Sequence, residues 1–233
     1  MALADNLVAY YKMDESSGTR SDSHGSVDLT DFNTVGAAAG IINDGADFES
    51  TNSEYLRNSS GLGLTTNNDV SASFWYKPES IGAFQGLIFT GSGTTGIFIR
   101  CETDGKMFAQ YANSAGETKT RSNSVLFSAG TLYHVVVVFN TSSDSFDFYV
   151  DNSSAAETVF ATGASGFTDG SEITIGSTGG TGQYTDGIID EVGIWEKALT
   201  SGEVSELYNS GSGLAYDDIV GGVEDAKFLG FNF

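Results

Sequence analysis

The residues best able to do chemistry cluster late in the chain, in Asp190-Glu191-Val192-Gly193-Ile194-Trp195-Glu196. Carboxylates this close together raise acid–base chemistry first. Retaining glycoside hydrolysis needs two carboxyl groups about 5–5.5 Å apart, facing one another. On a strand, Asp190 and Glu191 point to opposite faces, and Asp190 and Glu196 lie about 20 Å apart at strand rise. The spacing makes no catalytic pair, so no enzyme is expected. Alternation puts Asp190 on one face with Ile188, Val192 and Ile194. A buried carboxylate without a partner is costly. Its partner is then the backbone amides of a neighbouring loop, an Arg or His, or a cation such as Ca2+.

Two histidines and one cysteine do not supply a zinc ligand set. His24 lies in a polar loop. His134 heads a run of four valines and reads as a packed histidine. Cys101 follows Ile97-Phe98-Ile99-Arg100 and reads as a buried free thiol. No nucleophile elbow, phosphate-binding glycine loop or EF-hand loop is present. No cofactor is therefore expected beyond a structural calcium ion, and the metal-ligand set stays open. Sugar binding would need aromatic platforms beside hydrogen-bonding groups. Trp75, Tyr76, Phe84, Tyr111 and Tyr184 are the candidates, with Tyr184 beside Gln183 the more exposed.

Short strands must position these side chains. Val70, Ala72, Phe74 and Tyr76 share one face of a strand, and Ser71, Ser73, Trp75 and Lys77 the other. The runs 85–90, 96–102 and 106–111 read as a meander joined by glycine-rich turns. Residues 133–140 contain four consecutive valines and read as a strand buried on both faces. Residues 145–151, 154–160 and 172–176 read as further strands, Val27-Asp28-Leu29 as a short one, and Ala37-Ala38-Ala39-Gly40 as a connection. One helix is predicted after Ala198-Leu199. Thr200 and Glu203 form a capping box, and Val204, Leu207 and Tyr208 fall on one helical face.

The closing stretch Gly187-Ile188-Ile189-Asp190-Glu191-Val192-Gly193-Ile194-Trp195, continued by Ala198-Leu199-Thr200, Glu203-Val204 and Leu207-Tyr208, resembles the last motif of laminin-G-like, concanavalin-A-like jelly-roll domains. Leu7-Val8-Ala9-Tyr10-Tyr11-Lys12-Met13-Asp14 resembles the first. Gly45-Ala46-Asp47-Phe48, Ser73-Phe74-Trp75-Tyr76-Lys77, Tyr133 to Phe139 and Phe148-Tyr149-Val150-Asp151 resemble internal strands, in the same order. The resemblance covers about residues 5–212. It implies an all-β fold: a two-sheet antiparallel β-sandwich, of jelly-roll type, with one short C-terminal helix. It also places Trp75 and Trp195 in the core, and implies a rim calcium as one use for Asp190. The glucan-cleaving relatives resemble one another in a Glu-x-Asp-x-x-Glu strand, which is absent here. The fold alone does not name a function.

Ten basic against thirty-one acidic residues give a net charge of −21. That disfavours nucleic acid and anionic membranes as partners. No apolar run is long enough to insert in a bilayer, and residues 1–6 show no signal peptide. Residues 1–212 are expected to form one domain. Residues 213–233 form a tail whose closing Phe228, Phe231 and Phe233 dock on the parent domain or on a partner. The expected function is a non-enzymatic binding or structural module: a decoration or tail-associated protein of a phage virion, made in the host cytoplasm. Its partners would be other virion proteins or further copies of itself, with host glycan as a ligand. The alternative is a carbohydrate-binding or adhesion domain of a bacterial cell surface; a glycan-active enzyme is a distant third.

Overall fold

The computed structural model describes residues 2–65, 68–91, 95–113, 116–122, 126–141, 145–161 and 169–221, with backbone alone at 116–122 and 157–160 and for Ala161. In chain order the strands are β1 (Leu7–Tyr11), β2 (Thr30–Phe32), β3 (Gly36–Ala39), β4 (Asp44–Phe48), β5 (Tyr55–Asn58), β6 (Val70–Pro78), β7 (Gln85–Thr90) and β8 (Gly96–Cys101). They continue with β9 (Met107–Asn113), β10 (Gly116–Ser122), β11 (Tyr133–Asn140), β12 (Ser145–Val150), β13 (Ser153–Ala155), β14 (Glu157–Ala161), β15 (Ile173–Ile175) and β16 (Gly187–Trp195). Helices α1 (Ser201–Tyr208) and α2 (Tyr216–Gly221) follow.

Two antiparallel sheets form. The first runs β13-β12-β11-β6-β16-β4-β3, with β1 also pairing β16; the second runs β14-β10-β9-β8-β7-β15-β5-β2. Their facing sides share one apolar core, in which Phe74, Val135, Val137 and Ile189 of the first sheet join Leu87, Ile99, Tyr111 and Ile173 of the second. The sandwich expected from the sequence is the one observed.

The first sheet is covered on its outer side as well. Val136, Val138 and Trp195 pack there against Val204 and Leu207 of α1 and Ile219 of α2. The valine strand is thus buried on both faces, as its sequence implied. Trp195 is fully buried, and its indole N–H donates to the Leu3 carbonyl at 2.7 Å. The capping box at Thr200 and Glu203 is present with both bonds made. No helix among the described residues is long and apolar enough to cross a membrane.

Several local readings change. The expected alternation of Ile188, Asp190, Val192 and Ile194 breaks in mid-strand. Glu191 takes φ +49°, and the register with β6 slips between Asp190 and Gly193. This bulge leaves Ile189, Val192 and Ile194 in the core. Trp75 is buried as the resemblance implied, and Ser71 and Ser73 on the same face are buried with it because α1 lies over that face; the Ser71 hydroxyl donates to the Lys197 carbonyl at 2.7 Å. Residues 36–39 are an edge strand rather than a connection, paired with β4 through backbone bonds. Leu29 makes only an isolated bridge to Arg20, and the short strand lies at Thr30–Phe32. Residues 153–161 divide between the two sheets. A second short helix, α2, closes the described chain. It packs on the domain itself, with the Tyr216 ring 5.1 Å from that of Tyr10. Phe228, Phe231 and Phe233 lie outside the described residues.

Candidate functional site

Among the described residues, no helix lies over the outer face of the second sheet. Alternation on β8 turns Ile97, Ile99 and Cys101 into the core, leaving Phe98 and Arg100 facing outward. On β9, Met107, Ala109 and Tyr111 go inward, which turns Phe108 and Gln110 out. Antiparallel register aligns one row across five strands: Gln110, Phe98, Phe89, Thr174 and Arg57, reaching Thr30 on β2. Phe108 pairs with Arg100, and Tyr55 with Phe32, in flanking rows. A face that should be polar if it met only water carries a band of rings instead.

Two ring clusters sit on this band. In the first, the Arg100 guanidinium lies 4.3 Å from the Phe108 centroid, 4.5 Å from that of Phe84 and 5.5 Å from that of Phe98. Its Nε donates to Glu102 at 2.6 Å, which neutralises its charge. Phe84 is 41% exposed above it. In the second, Phe32 stacks flat on Tyr55, centroids 4.6 Å apart and planes 4° apart, and is 37% exposed. Tyr184 stands 6.3 Å from Tyr55, its hydroxyl donating to the Gly180 carbonyl at 3.1 Å. Gly180 has φ +70°, and a Cβ there would lie 2.7 Å from Tyr55 Cζ. Only glycine lets the loop 177–183 lie this close to the ring. Next to Phe32 is a pocket of about 310 Å³ lined by Thr30, Phe32, Arg57, Asn58, Ser59 and Ser60. Between the clusters, the buried Thr174 hydroxyl has no partner among the described residues.

Of the aromatic candidates read from the sequence, Trp75, Tyr76 and Tyr111 are buried, while Phe84 and Tyr184 reach the outer face. Trp75 stacks under Tyr208 of α1, 5.9 Å between centroids. His134 is buried beside both, its Nε2 2.9 Å from the Ser73 hydroxyl, and burial pushes its pKa down to about 3. Burial pushes the Cys101 thiol up to about 12, so it is an unreactive core thiol. Sequence reading missed Phe32, Tyr55, Phe89, Phe98, Arg100 and Phe108. Their alternation was visible; their alignment across strands was not.

Asp190 is fully buried. Its Oδ2 accepts from the amides of Ile41 at 2.7 Å and Ile42 at 3.3 Å, and its Oδ1 from the amide of Glu191 at 2.8 Å. These are the loop-pinning bonds that its position demanded. Burial outweighs them and raises its pKa to about 7.

A different carboxylate group has the spacing of a cation site. Asp47, Glu49 and Glu79 place one oxygen each within 4.8 Å of one another, where β4 and β6 end. Opposite ligands of one calcium ion are also about 4.8 Å apart, given Ca–O distances of 2.3–2.6 Å. Asp47 Oδ1 is buried without a hydrogen-bond partner among the described residues. Partial desolvation, then Glu79, Asp186, Asp47 and Glu54, push the Glu49 carboxyl up. These residues fit calcium better than Asp190 does.

A larger cleft of about 440 Å³ lies at the start of α1, lined by Asn68, Asp69, Glu196, Lys197, Ala198, Thr200 and Glu203. Its polar groups are largely spent on structure. Lys197 pairs with Glu203 at 2.7 Å, and Glu196 accepts from the Thr65 amide.

The chain belongs to the concanavalin A-like lectin/glucanase superfamily, whose laminin-G-type family model matches residues 49–205. It is similar in structure to domain 4 of AbnA, an extracellular GH43 arabinanase from Geobacillus stearothermophilus solved with arabinotriose. That match has TM-score 0.67 and 19% identity, and covers 86% of this chain and 97% of that one. It is also similar to the binding domain of Paraclostridial Mosquitocidal Protein 1, with TM-score 0.70, 16% identity, and coverage of 89% and 53%. A third is Trypanosoma rangeli sialidase, solved with the inhibitor DANA, with TM-score 0.63, 15% identity, and coverage of 89% and 34%. The chain spans about half of the toxin binding domain and a third of the sialidase. At these identities the likeness establishes the fold. No curated protein sequence matches the chain.

Proposed function

We propose that this protein is a non-enzymatic glycan-binding module that uses the outer face of its second sheet. The observation that carries the reading is the ring band, with Phe32 and Phe84 exposed at 37% and 41% on a sheet face that no helix covers among the described residues. Aromatic rings take the apolar faces of sugar rings, and nearby amides and hydroxyls fix their orientation. Gln110, Gln183, Thr30 and Ser59 offer such groups along the band. Glu102 and Glu172, the carboxylates beside the rings, are each held by an arginine, at 2.6 Å and 3.1 Å. That supports binding rather than bond cleavage. The arabinotriose complex of the arabinanase domain, which shares the fold, supports the same reading.

Two finer parts belong to this proposal. Asp47, Glu49 and Glu79 would hold a calcium ion that offsets their mutual repulsion and braces the ends of β4 and β6. The module is displayed on a phage virion; the aromatic run Phe228-Leu229-Gly230-Phe231-Asn232-Phe233, beyond the docked helix α2, would be its attachment to a partner protein.

The test is a glycan array with the wild type and a Phe32→Ala/Phe84→Ala variant. Binding by the wild type and its loss in the variant, with an unchanged melting temperature, is the expected result. Hydrolysis of any polysaccharide would overturn the non-enzymatic reading. Immunogold labelling of virions would check the display site, and label confined to bacterial surfaces would replace it.

A further inference from the structure

The pocket beside Phe32 carries a specificity that the fold does not dictate. Its floor is a flat ring: Phe32 rests one face on Tyr55, so its exposure comes from the other face and rim. Its wall is hydroxyl-rich, from Thr30, Ser59 and Ser60. Asn58 is already committed, its Nδ2 donating to the Asp28 carbonyl at 2.8 Å and its Oδ1 accepting from the Ser60 amide at 2.7 Å. At about 310 Å³ the pocket is at the small end of ligand sites, suited to one or two sugar rings.

Charge decides which sugars. Arg57 is the one charged residue lining the pocket, and Glu172 pairs with it at 3.1 Å. Glu172 is the more buried partner, its side chain 15% exposed against 34% for Arg57, so an incoming anion cannot displace it cheaply. The whole chain adds a field of net charge −21, which repels anionic ligands at moderate salt. An anionic sugar would find no unpaired cation among the described residues of this pocket. An uncharged one would find a ring and three hydroxyls.

Resting on the glycan-binding reading above, we propose that this pocket selects uncharged glycans and rejects sialylated or sulfated forms of the same core.

The experiment is titration calorimetry on paired oligosaccharides, neutral and sialylated, chosen from the strongest neutral hits of an array. The wild type should bind the neutral member at least about tenfold more tightly. Phe32→Ala should remove that binding. Glu172→Gln frees the charge of Arg57, so it should raise affinity for the sialylated member and narrow the ratio severalfold. Thermal melts of each variant separate loss of binding from loss of fold. Equal or tighter binding of the sialylated member overturns this specificity while leaving a glycan-binding module. Neutral binding that survives Phe32→Ala in a folded variant overturns the assignment to this pocket. No binding to any glycan removes both.

Discussion

Tyr10 on β1 donates its hydroxyl to the Glu191 carboxylate, joining two buried side chains 181 positions apart. The bulge makes this contact: φ +49° at Glu191 turns its side chain to the outer side of the first sheet, where Tyr10 packs. Asp190, the preceding residue, is buried too. Two adjacent acids therefore sit where water does not reach.

Their titration sets the first prediction. Burial first, then neighbouring Asp190 and Asp14 against the bond from Tyr10, raises Glu191 to about 8; Asp190 is raised to about 7. Free carboxyls titrate near pH 4. The folded protein thus keeps two protons that the unfolded chain has lost, and the stability they contribute is complete below about pH 4 and disappears as pH rises through 7 and 8. His134 acts in the opposite sense: held near 3, it contributes stability that is complete above its free value of about 6.5 and falls as the pH drops towards 3. Above about pH 4 the two acids together outweigh His134, and the acidic surface repels itself less at low pH, so the melting temperature should peak near pH 4 and fall by pH 8.5. Glu191→Gln should flatten the alkaline limb. A melting temperature that climbs from pH 5.5 to 8.5 would contradict the assignment.

Calcium supplies the second. If Asp47, Glu49 and Glu79 share an ion, millimolar Ca2+ should raise the melting temperature, because a ligand of the folded state alone stabilises it. At 100 times its dissociation constant the gain is about 2.7 kcal/mol, or roughly 5–10 °C for a chain this size. Asp47→Asn and Glu79→Gln should each abolish the calcium response and raise stability in chelator, by relieving repulsion. A response that survives both changes would move the ion elsewhere.

The helix cap gives a third. Thr200 accepts from the Glu203 amide at 3.3 Å, while Glu203 accepts from the Thr200 amide at 2.8 Å. Thr200→Ala should cost about 1 kcal/mol, measured by urea unfolding with an unchanged slope. The outer face of the second sheet lies on the other side of the molecule, so glycan affinity should not move.

That cap is legible in the amino-acid sequence, since Thr200 and Glu203 are local partners three residues apart. The same holds for the inward residues of β6 and for the valines of β11, whose burial follows from period and composition. The ring band is not legible in this way. Phe98 and Arg100 are two residues apart, but Phe108, Phe84 and Gln183 join them only through strand register and loop packing. The bulge at Glu191 is hidden for another reason. A non-glycine residue at positive φ leaves no mark in the hydrophobic pattern, and that single residue reverses the alternation of the rest of β16. Asp47, Glu49 and Glu79 escape notice because they converge from two strand ends, thirty residues apart.

The last prediction concerns the join between the two sheets. Gly176 follows β15 with φ +88°, its amide donating to the Leu87 carbonyl at 3.1 Å and its carbonyl accepting from the Thr185 amide at 2.8 Å. A Cβ there would stand 2.4 Å from Cε1 of Phe48, a ring with no exposed surface. Left-handed backbone costs an alanine about 1–2 kcal/mol, and forcing a methyl into a packed core costs about 1–3 kcal/mol. Gly176→Ala should therefore destabilise the domain by about 2–5 kcal/mol in urea unfolding. Phe48→Leu gives up core packing of its own, yet it removes the ring atoms in the way. The double variant should then be more stable than the two single costs predict, by about 1 kcal/mol or more. Strict additivity would show that backbone strain alone, and not contact with Phe48, reserves this position for glycine.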